Sequence, residues 1–162
     1  MDLQGILSNL FGSKLTSMRT EPGVTYGPAV SLVSRTPISY EELPPNRSGE
    51  FFPDTKTIRI DPRKGNVSKV TRHEQIHAIL DKLPMEGAPQ TTSAPGFMDI
   101  ARRIQGSAAG QMENEVPAYM GAQNSQFYGI SDEQRNAYMQ GLVAQLQKLD
   151  PNIAQKMMRL SK

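Results

Sequence analysis

Residues 72–77 read Arg72-His73-Glu74-Gln75-Ile76-His77, a His-Glu-x-x-His pattern. An α-helix takes about 3.6 residues per turn, so positions i and i+4 stand one turn apart and about 40° apart around the axis. On such a helix His73 and His77 present two imidazoles to one metal ion. Glu74 lies at the edge of the same face, where it can polarise a metal-bound water. The chain holds only two histidines, and both fall in this motif. Packing alone gives no reason to space two histidines around a glutamate.

The flanking sequence supports a helix here. Asn66 is a good N-cap residue, and the helical pattern runs from about Val67 to Leu83, ending before Pro84. Ile76, Ile79, Leu80 and Leu83 form its apolar stripe, and His73, Glu74 and His77 lie largely off it. The helix therefore has a core face and a chemical face. Upstream, Phe51 to Ile60 reads as a strand pair or as one strand with a turn at Pro53-Asp54. Ile58 and Ile60 alternate there with Thr57 and Arg59. Asp61-Pro62 stops the strand, and Arg63-Lys64-Gly65 is a turn.

Two histidines do not complete a catalytic metal site, which uses three protein ligands and keeps a fourth position for water. With no third histidine and no cysteine in the chain, the third ligand has to be a carboxylate. Asp81 lies two turns along the same helix, about 12 Å from His73 by helical rise, too far for one ion. The remaining candidates, Glu113 and Glu115, lie in Gln111-Met112-Glu113-Asn114-Glu115-Val116-Pro117-Ala118-Tyr119, on a separate helix that can cross the first.

With these pieces the sequence resembles the zincin metallopeptidases, specifically their gluzincin branch. In that family a β-strand precedes a His-Glu-x-x-His helix, and a glutamate ligand follows on a later helix. The matching pieces are Thr57-Ile58-Arg59-Ile60, then His73-Glu74-Gln75-Ile76-His77, then Asn114-Glu115-Val116-Pro117-Ala118-Tyr119. They span about residues 50–120. The resemblance implies Glu115 as third ligand, with Glu113 in reserve. It also implies Zn2+ as cofactor and a peptide or protein substrate, cleaved by a metal-activated water with Glu74 as general base. It implies that a strand ahead of the helix, Thr57–Ile60 or its neighbour Phe51–Phe52, aligns the substrate. Tyr119, Tyr128 and Arg72 are candidates for stabilising the oxyanion, with Tyr119 put first. The chain departs from the family in two respects. Leu80 and Leu83 stand where the related metzincin extension has a glycine and a third histidine. Tyr119 stands four residues after Glu115, where many gluzincins carry an acid that supports a histidine ligand.

The helices after residue 97 are most simply core scaffold. Helices are expected at about 97–109 (Phe97, Ile100, Ala101, Ile104), from Met112–Glu115 onward, from Ser131 with Gln134 completing a capping box, and after Asp150-Pro151. The stripe of the Ser131 helix is Tyr138, Leu142, Val143, Leu146 and Leu149. Pro117 is expected in a first turn or at a kink. Residues 19–50 are rich in Pro, Gly, Ser and Thr. Ala29–Val33 reads there as a short strand and Glu41–Gly49 as a long loop. The expected class is α+β: a zincin-like minimal metallopeptidase domain with a small β-sheet, then the active-site helix, then a mostly helical C-terminal half.

Residues 2–18 show helical spacing of Leu3, Ile6, Leu7, Leu10, Phe11, Leu15 and Met18. The division is thus an amphipathic helix over 1–20, packing on its own domain or docking on a partner or oligomer, and one domain over 21–162. The net charge of +2 over 162 residues, with no cationic run, argues against a nucleic-acid partner. No run reaches the ~18 apolar residues of a membrane span, and the N-terminus does not read as a secretion signal. The expected location is cytoplasmic or virion- or assembly-associated. Two other classes fit the same sequence. One is a structural or docking component of a larger assembly, such as a phage particle, with a structural or vestigial zinc site. The other is a metal-free helical adaptor.

Overall fold

A computed structural model describes residues 26–30, 36–83, 92–104, 112–123 and 125–162. Its architecture is α+β. Among the described residues four strands come first: β1 (Tyr26–Val30), β2 (Pro37–Tyr40), β3 (Gly49–Phe52) and β4 (Thr57–Ile60). Among the same residues five helices follow: α1 (Val67–Leu80), α2 (Phe97–Ile104), α3 (Met112–Gly121), α4 (Asp132–Leu149) and α5 (Pro151–Leu160), with a 3-10 turn at Ser125–Tyr128 before α4. The amphipathic pattern over residues 1–20 lies outside the described residues.

The sheet order is β1-β2-β4-β3. β3 and β4 form the expected strand pair, antiparallel with Phe51 opposite Ile58 and Phe52 opposite Thr57. Lys56 closes the turn between them with φ of 52°. β2, in the segment read as turn-rich, pairs parallel with β4, Ile38 opposite Ile58. β1 starts at Tyr26, ahead of the expected Ala29, and residues 31–33 are outside the described ones. β3 forms one edge of the sheet.

The loop between β2 and β3 is pinned rather than slack. Asp61, fully buried, accepts hydrogen bonds from the Leu43 N–H at 3.0 Å and from Arg63 Nε and Nη2, each at 3.0 Å. Those bonds, led by the Arg63 guanidinium, hold its carboxyl well below the usual range despite burial. Lys64 Nζ donates to the carbonyls of Leu43, Pro44 and Arg47.

α1 separates two cores. It starts on Asn66, whose side chain accepts the Lys69 N–H at 3.1 Å. Counting about 100° per residue from His73, Ile76, Ile79 and Leu80 fall on one side. They pack into the helical core with Ile104, Val116, Met120, Tyr138, Leu142 and Met157. Val67, Val70 and Ala78 fall on the other side, against Ile38, Ile58, Ile60 and Phe51 of the sheet. His73 and His77 occupy the seam between the two faces. Truncating one of these core isoleucines to Ala costs about 2–5 kcal/mol, so both cores hold α1 firmly.

The C-terminal half follows its caps. Ser131 and Gln134 form the capping box of α4, and Asp150 caps α5 with Pro151 in its first turn. Tyr138, Leu142 and Leu146 are fully buried, but Leu149, at the end of the expected stripe, is 40% exposed. α2 ends at Ile104, with residues 105–109 outside the described ones. Pro117 sits in the second turn of α3, not the first. Arg135, 9% exposed, ties the helices together by donating to the carbonyls of Met120 and Ser161, each at 2.7 Å.

Candidate metal centre

α1 and α3 cross so that one turn of each faces the other. Gly121 makes that crossing close. A Cβ there would come nearer than 3.0 Å to the Ile76 Cδ1, inside any ordinary contact. The crossing brings Glu115 of α3 to the histidine pair of α1. His73 Nε2 lies 3.4 Å from Glu115 Oε2, His77 Nε2 lies 3.5 Å from Glu115 Oε1, and the two Nε2 atoms are 3.1 Å apart. A tetrahedral ion with bonds of about 2.0–2.1 Å sets its ligand atoms about 3.3–3.4 Å apart; each imidazole meets a different oxygen of Glu115 near that spacing, and one ligand atom from each of the three residues lies within 4.8 Å of the others. Among the described residues, His73, His77 and Glu115 form the group able to hold a metal ion. Glu113 is outside this group. So is Asp81, whose carboxylate instead meets Lys56 Nζ at 2.7 Å.

The electrostatics suit a cation. His77 is pulled two ways: burial lowers its pKa, but the hydrogen bond and charge of Glu115, with Glu74 adding, raise it overall. Burial likewise works against the charge of Glu115. The bonds to His73 and His77 outweigh it and bring the carboxyl down to about 2. Glu115 is therefore ionised throughout the neutral range, and the site balances its charge by drawing positive charge onto His77. A divalent ion does the same with neutral imidazoles.

Glu74 points to the sheet side. It is 7% exposed, and burial raises its pKa against the pull of His73 and His77. Its carboxylate accepts a hydrogen bond from the backbone N–H of Phe51 on β3. Gly49 makes room for this contact. A Cβ there would lie 2.5 Å from Val70 Cγ1 and 3.0 Å from both Cγ and Oε1 of Glu74. Sequence reasoning did not single out Gly49 or the Phe51 N–H. Their signal was a glycine opening a short aromatic strand, next to no recognisable motif.

Tyr119 and Tyr128 lie beside the histidine pair as a packed couple. The Tyr119 ring packs edge-on to His73, centroids 4.7 Å apart, and to Tyr128, 5.2 Å apart. Burial, and then a hydrogen bond with Tyr128, push the Tyr119 phenol up. Arg72 bears electrostatically on Arg135, over the helical core. The buried Nδ1 of His73 has no hydrogen-bond partner among the described residues. Such an orphan costs about 1–3 kcal/mol.

No family model, curated protein or solved structure matches the chain significantly. Among the described residues no helix is long and apolar enough to cross a membrane.

Proposed function

We propose that this chain is a zinc-dependent metallopeptidase of zincin type, similar to the gluzincin branch, with His73, His77 and Glu115 as metal ligands and Glu74 as general base. The observation that carries this reading is the convergence of His73, His77 and Glu115, with one ligand atom from each within 4.8 Å of the others, beside a buried carboxylate that is not one of them. Three protein ligands leave a fourth position open, as catalytic zinc sites do and closed structural sites do not. Zinc held there supplies Lewis acidity and a water whose pKa is brought to about 7.

The chain's own residues do the rest. Glu74, with its pKa raised by burial, is suited to take the proton of the attacking water and pass it to the leaving amine. The Phe51 N–H holds the carboxylate in place while it does so. Among the described residues β3 is the last strand of the sheet, so an extended peptide can add beside it through the backbone groups of its outer edge that Glu74 does not use. Gly49 and Phe51 of that edge strand both touch Glu74, so a peptide laid along it lies next to the base.

Glu74→Gln tests the reading, with release of new amines from an unfolded protein substrate as the assay. The variant is expected to keep its zinc and fold and to lose at least about 100-fold in hydrolysis, the lower range for a general base. Hydrolysis at the wild-type rate in Glu74→Gln, or none in zinc-loaded wild type, removes the catalytic claim.

A further inference from the structure

We propose that Tyr119 is a positioning residue: its ring, tethered by Tyr128, braces the His73 imidazole and replaces the hydrogen-bond acceptor that usually orients a metal-ligating histidine. The inference rests on the metal-binding part of the reading above and is independent of peptide hydrolysis.

A metal-ligating histidine almost always donates its second ring N–H to a carboxylate, carbonyl or water, and this fixes both tautomer and ring orientation. His73 has no such partner among the described residues. What touches its ring is aromatic. His77 meets it at 4.8 Å and 75°, and Tyr119 at 4.7 Å and 69°. Both are edge-to-face arrangements, the favoured geometry of ring pairs. His77 is itself one of the three ligands, so the independent brace is Tyr119.

Tyr119 follows Glu115 by four residues on α3, one helical turn later on the same face. One helix thus carries both the carboxylate and the brace. Tyr119 is in turn held from outside α1 and α3. Tyr128, on the 3-10 turn, packs against it at 5.2 Å and 78° and shares a hydroxyl hydrogen bond with it. Tyr128, Tyr119, His73 and His77 stand as four rings in series, each edge-on to the next.

The test is zinc affinity, measured by competition with a chromophoric chelator without substrate, alongside the thermal midpoint of each metal-free protein. Tyr119→Leu removes the ring and is expected to weaken zinc binding about 10–100-fold, the range for losing outer support of a ligand. Tyr119→Phe and Tyr128→Phe each break only the tether. They are expected to match one another with a smaller loss, and the double variant to be no worse than either, because they remove the same bond. Metal-free midpoints of the Phe variants should stay close to wild type, which a merely structural role would not predict. Wild-type zinc affinity in a folded Tyr119→Leu overturns the proposal. Should that variant not fold, wild-type affinity in both Phe variants overturns it. Wild-type protein that binds no zinc sinks the metal reading and this proposal together. Zinc binding without hydrolysis sinks the catalytic reading alone.

Discussion

Gly121 meets Ile76 where α3 crosses α1, leaving no room for a Cβ between them. The contact lies on the core side of α1, beside the seam that carries the histidines, so it limits how far apart α1 and α3, and with them the histidines and Glu115, are held. Gly121→Ala should cost about 1–3 kcal/mol in urea unfolding, the usual price of overpacking. It should also weaken zinc binding by forcing the helices apart. Adding Ile76→Val removes the Cδ1 that the new methyl strikes. The double variant should recover zinc affinity beyond what the two single changes predict by addition. Strict additivity would show that this crossing does not govern the site.

Gly49 governs a different part of the same site. Its missing side chain lets β3 lie on Val70 and Glu74. Gly49→Ala displaces the carboxylate without touching the three metal ligands. Its expected signature is split: zinc stoichiometry unchanged, hydrolysis reduced, and stability lower by about 1–3 kcal/mol. Loss of zinc in this variant would contradict the separation of base from ligands.

The metal-free protein should carry a pH signature of the His77–Glu115 pair. Glu115 is depressed from 4.5 to about 2 in the fold, so its contribution is present above about pH 4.5 and lost as pH falls toward 2. His77 is raised above 6.5, so its contribution is full below that value and lost as pH rises through the higher folded pKa. Between about pH 4.5 and 6.5 both contributions are present. In chelator, the stability difference between wild type and Glu115→Gln is therefore expected to peak in that window. A difference flat across pH would exclude the pairing. Zinc requires neutral imidazoles, so its affinity should instead fall as pH drops through the raised His77 value.

Much of this site was legible because its parts are local. The His73–His77 spacing, the Asn66 cap and the capping box at Ser131 each lie within one or two helical turns, where backbone geometry alone sets the outcome. The need for a carboxylate as third ligand followed from the histidine and cysteine counts. The choice between Glu113 and Glu115 rested on family likeness, since it depends on how α3 is rotated against α1. That rotation depends on packing between the two helices, where residues as far apart in the chain as Gly121 and Ile76, 45 positions, meet. β2 was missed for a similar reason. Pro37–Tyr40 has one fully buried side chain, Ile38, and its parallel partner β4 lies beyond the whole of β3. The contacts of Tyr119 with His73 and Tyr128 belong to the same class, formed by packing between segments and unmarked in any one of them.

The central claim is that two imidazoles and Glu115 hold one metal ion. Its most direct test is zinc content after dialysis at neutral pH without chelator, for wild type and Glu115→Gln side by side. The account predicts about one zinc per wild-type chain, the stoichiometry of a single three-ligand site, and essentially none in the variant. Zinc-free wild type, or a Glu115→Gln protein that keeps its full zinc, would contradict it.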